Sequence, residues 1–307
     1  MNKKADLILD SKSTLGEGAF WDSKKNVLYW VDIEGRFLHV YNPSTGVNTT
    51  RLIKGRPGTV VPRKSSGVVV AVERSVVVFD EIQERKTGQS KLMPGKPVDT
   101  EPAELCYFSS EPHGNRLNDG KCDPAGRLWV GTMSGDRSPT ATLYRVEPGG
   151  SFKAMVTGVT VSNGIVWSAD GRTMYYIDTP TVSVQAFDYH MEDGSISGRR
   201  TAFGFPHELG RPDGMTIDSE GMLWVAFFRG SAVRRFNPDD GSLLAVIELP
   251  VSNVTSCAIG GSDLRDMFIT TAREGLTEVG AAAQPLAGGL FHARVDVCGV
   301  QQHLFAG

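Results

Sequence analysis

The sequence predicts an all-β chain folded as one six-bladed β-propeller. Three observations predict it. Helical periodicity is nearly absent, one turn-and-strand unit recurs six times, and a fixed step back from each unit lands on a polar residue.

Short runs of Val, Ile, Leu, Phe, Trp and Tyr alternate with clusters of Gly, Asp, Asn and Pro, which is the pattern of strands and turns. The recurring unit begins at Asp22, Lys64, Asp123, Ser168, Asp218 and Gly261, with 42 to 59 residues between successive starts. Units of that length holding several strands are propeller blades. In copies such as Asp123-Pro-Ala-Gly126 and Asp218-Ser-Glu-Gly221, the aspartate caps a hairpin turn and the glycine supplies positive φ. Each turn is expected to join the first two strands of its blade. Further strands follow at 37–41, 142–146 and 232–236, each ended by Asn-Pro or Glu-Pro. Six blades close a ring with no open edge. The expected seal pairs a strand at 6–10 with the last blade near 289–297. Glycine and proline are scattered as turn punctuation, so no linker divides the chain, and residues 1–307 are expected to form a single domain.

Composition removes several function classes. The 307 residues carry 32 Lys and Arg against 35 Asp and Glu, a net charge of −3 with no basic stripe. A nucleic-acid partner would need such a stripe. No window is long and apolar enough to span a membrane, and the first ten residues fall short of a secretory signal. The four cysteines are far apart and form no CxxC pair, which fits reduced thiols in a cytoplasmic protein. There is no GxGxxG, Walker loop or G-x-S-x-G elbow, hence no sign of a nucleotide cofactor or a serine nucleophile.

Five residues before each turn start stand Glu17, Thr59, Asn118, Asn163, Asp213 and Ser256. All are polar, yet they head apolar strands. The innermost strand of each blade lines the central channel, so these six positions are expected at one level of its mouth. Glycine follows three of them (Gly18, Gly164 and Gly214), as where a backbone must pass close to something. Two carboxylates and amide carbonyls make a hard-oxygen set, suited to Ca²⁺, Mg²⁺ or Mn²⁺, with Zn²⁺ also possible. Arg116 and Asp136 lie on loops beside this ring and are candidates to grip a polar ligand.

At these residues the chain resembles the SMP-30/gluconolactonase family, which includes regucalcin, sugar-acid lactonases and luciferin-regenerating enzymes. The motifs that carry the resemblance are Leu15-Gly-Glu-Gly-Ala-Phe-Trp-Asp22, Asn115-Arg-Leu-Asn-Asp-Gly-Lys121 with Gly131-Thr-Met133, Val161-Ser-Asn-Gly-Ile-Val-Trp-Ser168, and Arg211-Pro-Asp-Gly-Met215. The resemblance implies a six-bladed propeller, in agreement with the repeat count. It implies one divalent metal ion on Glu17, Asn163 and Asp213, and substrate contacts from Arg116 and Asn118. A family glutamate falls on Asp136, one methylene shorter. The implied reaction is hydrolysis of a sugar lactone, a small-molecule partner, with Asp213 as general base. Two other readings stay open: a metal-dependent esterase or phosphotriesterase on the same pocket, and a calcium-binding propeller without catalysis. Substrate selectivity is expected in the loops at 88–110 and 271–288.

Overall fold

A computed structural model of the chain describes residues 2–79 and 102–307. Six small sheets stand around a central channel as the blades of a propeller. Their innermost strands are Gly16–Asp22, Pro57–Pro62, Arg116–Cys122, Ser162–Trp167, Arg211–Ile217 and Val254–Gly260. Each touches the next, and the sixth touches the first, so the ring is closed. These strands are buried along nearly their whole length because neighbouring blades cover both faces. Outer strands such as Ser195–Gly204 keep a solvent face. That is why the sequence shows apolar runs inside the ring and weaker alternation outside it.

The turns form as expected. Asp123 Oδ1 accepts from the backbone N–H groups of Ala125 and Arg127, and Gly126 takes φ +89°. Asp218 repeats the arrangement with Glu220 and Met222, and Gly221 takes φ +80°.

The ring is sealed by the N-terminus. Asp6–Leu9 pairs antiparallel with Leu290–Arg294 of blade six, as expected. Asn2–Lys4 adds a parallel strand to Leu243–Glu248 of blade five, which the sequence did not announce. The first blade also stacks on the last: Trp21 lies 5.3 Å from Phe268 with rings nearly parallel. A Cβ at Gly260 would fall 2.3 Å from the Trp21 ring, so glycine makes room for the indole at the seam. The C-terminal Phe305 returns to blade two, where its N–H donates to Pro62 O and its ring is fully buried.

All four cysteines are free, and three are buried. Among the described residues no helix is long and apolar enough to cross a membrane. Residues 88–101 of the first selectivity loop lie outside the described residues. The second loop contains the six-residue helix Glu278–Ala283, capped by Thr277.

Candidate active site

In all six blades the pairing between the first and second strands slips beside the predicted ring position. The slips fall between Glu17 and Phe20, Pro57 and Thr59, Leu117 and Gly120, Asn163 and Ile165, Pro212 and Met215, and Val254 and Ser256. A bulge bends its strand and re-aims a side chain. Six bulges at one level explain how polar groups leave otherwise apolar strands together. The following glycines let the next blade come close. Gly18 has φ +62°, and a Cβ there would sit 3.2 Å from Thr59 Cα. At Gly214 a Cβ would sit 2.7 Å from Ser256 Cβ.

The six ring residues do not share one task. Thr59 Oγ1 donates to Gly120 O, and Ser256 Oγ accepts from the N–H of Ala19. These two stitch adjoining blades. Glu17 and Asp213 instead face one another across the channel within hydrogen-bonding reach. Both are buried, at 5% and 7% exposure. Glu17 Oε2 accepts from the N–H of Gly18, whereas Asp213 Oδ1 is buried with no hydrogen-bond partner among the described residues. Burial raises both carboxyls well above the usual range, and neighbouring negative charge adds to it: Asp119 for Glu17, Glu17 and Asp119 for Asp213.

Asn163 is fixed beside them by a chain of hydrogen bonds through three blades. Arg116 Nη1 donates to Asn118 Oδ1 at 2.7 Å, and Asn118 Nδ2 donates to Asn163 Oδ1 at 3.1 Å. Asn163 Nδ2 donates to Thr179 Oγ1, and Thr179 Oγ1 donates to Pro212 O, both at 2.8 Å. Asn118 thus links Arg116 to Asn163. Arg116 spends only Nη1, on Asn118 and on Leu117 O, so among the described residues Nε and Nη2 are left for a ligand. Burial holds its pKa down at about 10.

Asp136 stands apart from the other five predicted residues. It is exposed, and its Oδ1 accepts from Ser134 Oγ, Ser138 Oγ and the Ser138 N–H. These bonds pull its pKa down to about 2. All three bonds fall on Oδ1 and hold the turn to Ser138, and among the described residues Oδ2 takes none.

Sequence reasoning missed two parts of the site. Beneath the ring, Asp119 and Lys121 share the channel: Asp119 accepts from the Gly120 N–H, and Lys121 Nζ donates to Met215 O. Both lie in the quoted motif, but alternation around a bulge hides which side of the strand they take. On the rim, Arg56 forms a bidentate pair with Glu73 at 2.9–3.3 Å. Charges on Arg56, Glu34 and Glu274 all reach Arg116.

A metal would find oxygen donors here. Among the described residues no three His, Cys, Asp or Glu side chains form a metal cluster. A cation would therefore rest on two carboxylates and the Asn163 amide oxygen. The fit is chemical: two buried carboxyls that cannot both ionise without a counter-charge, one with an unpartnered oxygen, suit a hard divalent ion.

Comparison with known proteins agrees with this architecture. Residues 15–273 match the family model for the SMP-30/gluconolactonase/LRE-like region. Regucalcin of Danio rerio is 36% identical over 312 residues, covering 99% of each chain. YvrE of Bacillus subtilis (strain 168), provisionally named a sugar lactone lactonase, is 36% identical over 305 residues, again 99% of each. Among solved structures, a luciferin-regenerating enzyme superposes with a TM-score of 0.89 at 30% identity, covering 99% of each chain.

Proposed function

The chain belongs to the SMP-30/gluconolactonase/LRE-like family, and from that premise we propose that it is a divalent-metal-dependent hydrolase of sugar lactones. The observation that carries the reading is the buried Glu17–Asp213 pair, with Asp213 Oδ1 unpartnered and Asn163 braced alongside.

Glu17, Asn163 and Asp213 would hold the ion. When bound, it supplies polarisation of the lactone carbonyl and acidification of a water molecule. The Arg116 guanidinium, held by Asn118, directs Nε and Nη2 at hydroxyl or carbonyl oxygens of the sugar. Asp213 takes a proton from the water as its oxygen bonds to the carbonyl carbon. The bond from that carbon to the ring oxygen then breaks. The ring oxygen leaves with the proton returned by Asp213, giving the open hydroxy acid. Asp119 and Lys121 close the channel below with a pair of opposite charges, which limits water behind the reacting group. Asp136 acts through the turn it holds.

The test is metal-stripped protein against a panel of aldonolactones, aryl esters and phosphotriesters, with Ca²⁺, Mg²⁺, Mn²⁺ and Zn²⁺ restored singly. We expect lactone turnover that returns with metal and falls by about 10²- to 10⁴-fold in Asp213→Asn. Preference for aryl esters or phosphotriesters would move the assignment to an esterase. Absence of turnover with every metal, in protein that binds metal, would leave a binding propeller.

A further inference from the structure

A cleft of about 690 Å³ opens beside the candidate metal site, lined from blades three, four and five. Its wall is continuous with the site, because Thr179 lines it and also holds Asn163. Arg211, which lines it too, stands two residues before Asp213 in the same strand. Volume of this order is that of a small-ligand site.

The lining is basic in a chain that is acidic overall. Arg137, Arg211 and Arg229 all contribute, with His207, against the single acid Glu208. None of the three guanidinium groups makes an ion pair or side-chain hydrogen bond among the described residues. By contrast Arg56, Arg127 and Arg235 hold Glu73, Asp123 and Asp218 at 2.7–2.9 Å. Two of the three are also held in costly backbone. Arg137 has φ +64° and Arg229 φ +62°, in the left-handed region that non-glycine residues avoid. The Asp136–Ser138 turn fixes the first. The second is fixed by its neighbour: Gly230 packs so tightly on Leu209 O that a Cβ would fall 2.1 Å from it. The loops therefore present guanidinium groups to the cleft without partnering them.

We propose that this cleft binds a second anionic group of the substrate, a phosphate or carboxylate on the carbon remote from the lactone carbonyl. The proposal rests on the lactonase reading for the identity of the other end. Guanidinium forks match planar and tetrahedral oxyanions, and convergent charge favours them over a neutral hydroxymethyl group.

The test compares three lactones on metal-loaded protein: a neutral aldonolactone, its terminal phosphate ester and its terminal carboxylate counterpart. The readout is the ratio of kcat/KM for charged over neutral substrate. We expect a ratio of about ten or more for one charged form, carried mainly by KM and shrinking as salt is added. It should fall towards one in Arg137→Gln and Arg211→Gln. Both residues are exposed, and melting temperature and metal binding confirm that the variants are folded. The preferred charged form identifies the group. Calorimetric binding of the matching open-chain acids, with and without the terminal charge, asks the same question without turnover. If no lactone is hydrolysed, the lactonase reading fails while the calorimetry still decides the cleft. Equal handling of charged and neutral forms, or a preference that survives both substitutions, would overturn the proposal.

Discussion

Asp213 lies near the start of the strand Arg211–Ile217 and Asp218 directly after its end, both buried, and they live in opposite circumstances. Asp218 is fully satisfied. Its Oδ1 takes two backbone N–H groups, and its Oδ2 takes Trp224 Nε1 and Arg235 Nε. Asp123 repeats this with Arg127, Trp129 and Tyr189. Asp213 has an orphaned oxygen and the Glu17 carboxyl for a neighbour. A buried charge that is paired and hydrogen-bonded belongs to the fold. A buried charge left in conflict is tolerated for chemistry, and the channel mouth is where this chain stores that conflict.

The largest expected effect lies at the satisfied end. Asp218→Ala should cost about 3 kcal/mol, because it strands the buried Trp224 N–H and two turn N–H groups and leaves the Arg235 guanidinium only Glu220. Denaturant unfolding measures it. A loss below about 1 kcal/mol would mean that solvent replaces the partners. At the conflicted end the sign reverses. In chelator, Asp213→Asn should stabilise the protein, because it removes a buried charge that faces Glu17, while abolishing stabilisation by added metal. A variant less stable than its parent in chelator would sink the comparison.

The pH dependence follows from the same conflict. A carboxyl whose pKa is raised by folding binds its proton more tightly when folded. In the metal-free protein this pair's contribution should therefore be full below the unfolded carboxylate pKa, about 4, and be lost as pH rises from there towards the value of about 8 that Glu17 takes in the folded chain. Asp213→Asn should lose less over the same range. Parallel curves for parent and variant would assign the slope to other groups.

A smaller effect tests the brace. Thr179→Val removes the hydroxyl between Asn163 and Pro212, and should weaken metal binding about tenfold. Its cost in stability should be near 1 kcal/mol, read by metal titration and unfolding together. Unaltered affinity would show that Asn163 needs no brace. Smallest of all, Asp136→Ala should shift unfolding by no more than about 0.5 kcal/mol, since its bonds are exposed.

The sequence by itself determined the number of blades, the closing strand at Asp6–Leu9 and the level of the ring. These are written in local signals: an aspartate that caps a turn, a glycine with positive φ, and a polar residue five places before it. Such signals act over a few residues, so they survive in any context that keeps the strand. The tertiary structure alone decided what the ring residues do. Thr59 and Ser256 became stitches because neighbouring backbones offered partners within reach. Glu17 and Asp213 came together because the ring brings blades one and five to the same axis. Asp136 turned into its own loop, where two serine hydroxyls donate to its Oδ1. The three arginines of the cleft, unpaired among the described residues, gather from parts of the chain far apart in sequence. Burial and pairing are properties of surroundings, and the surroundings exist only once the ring has closed.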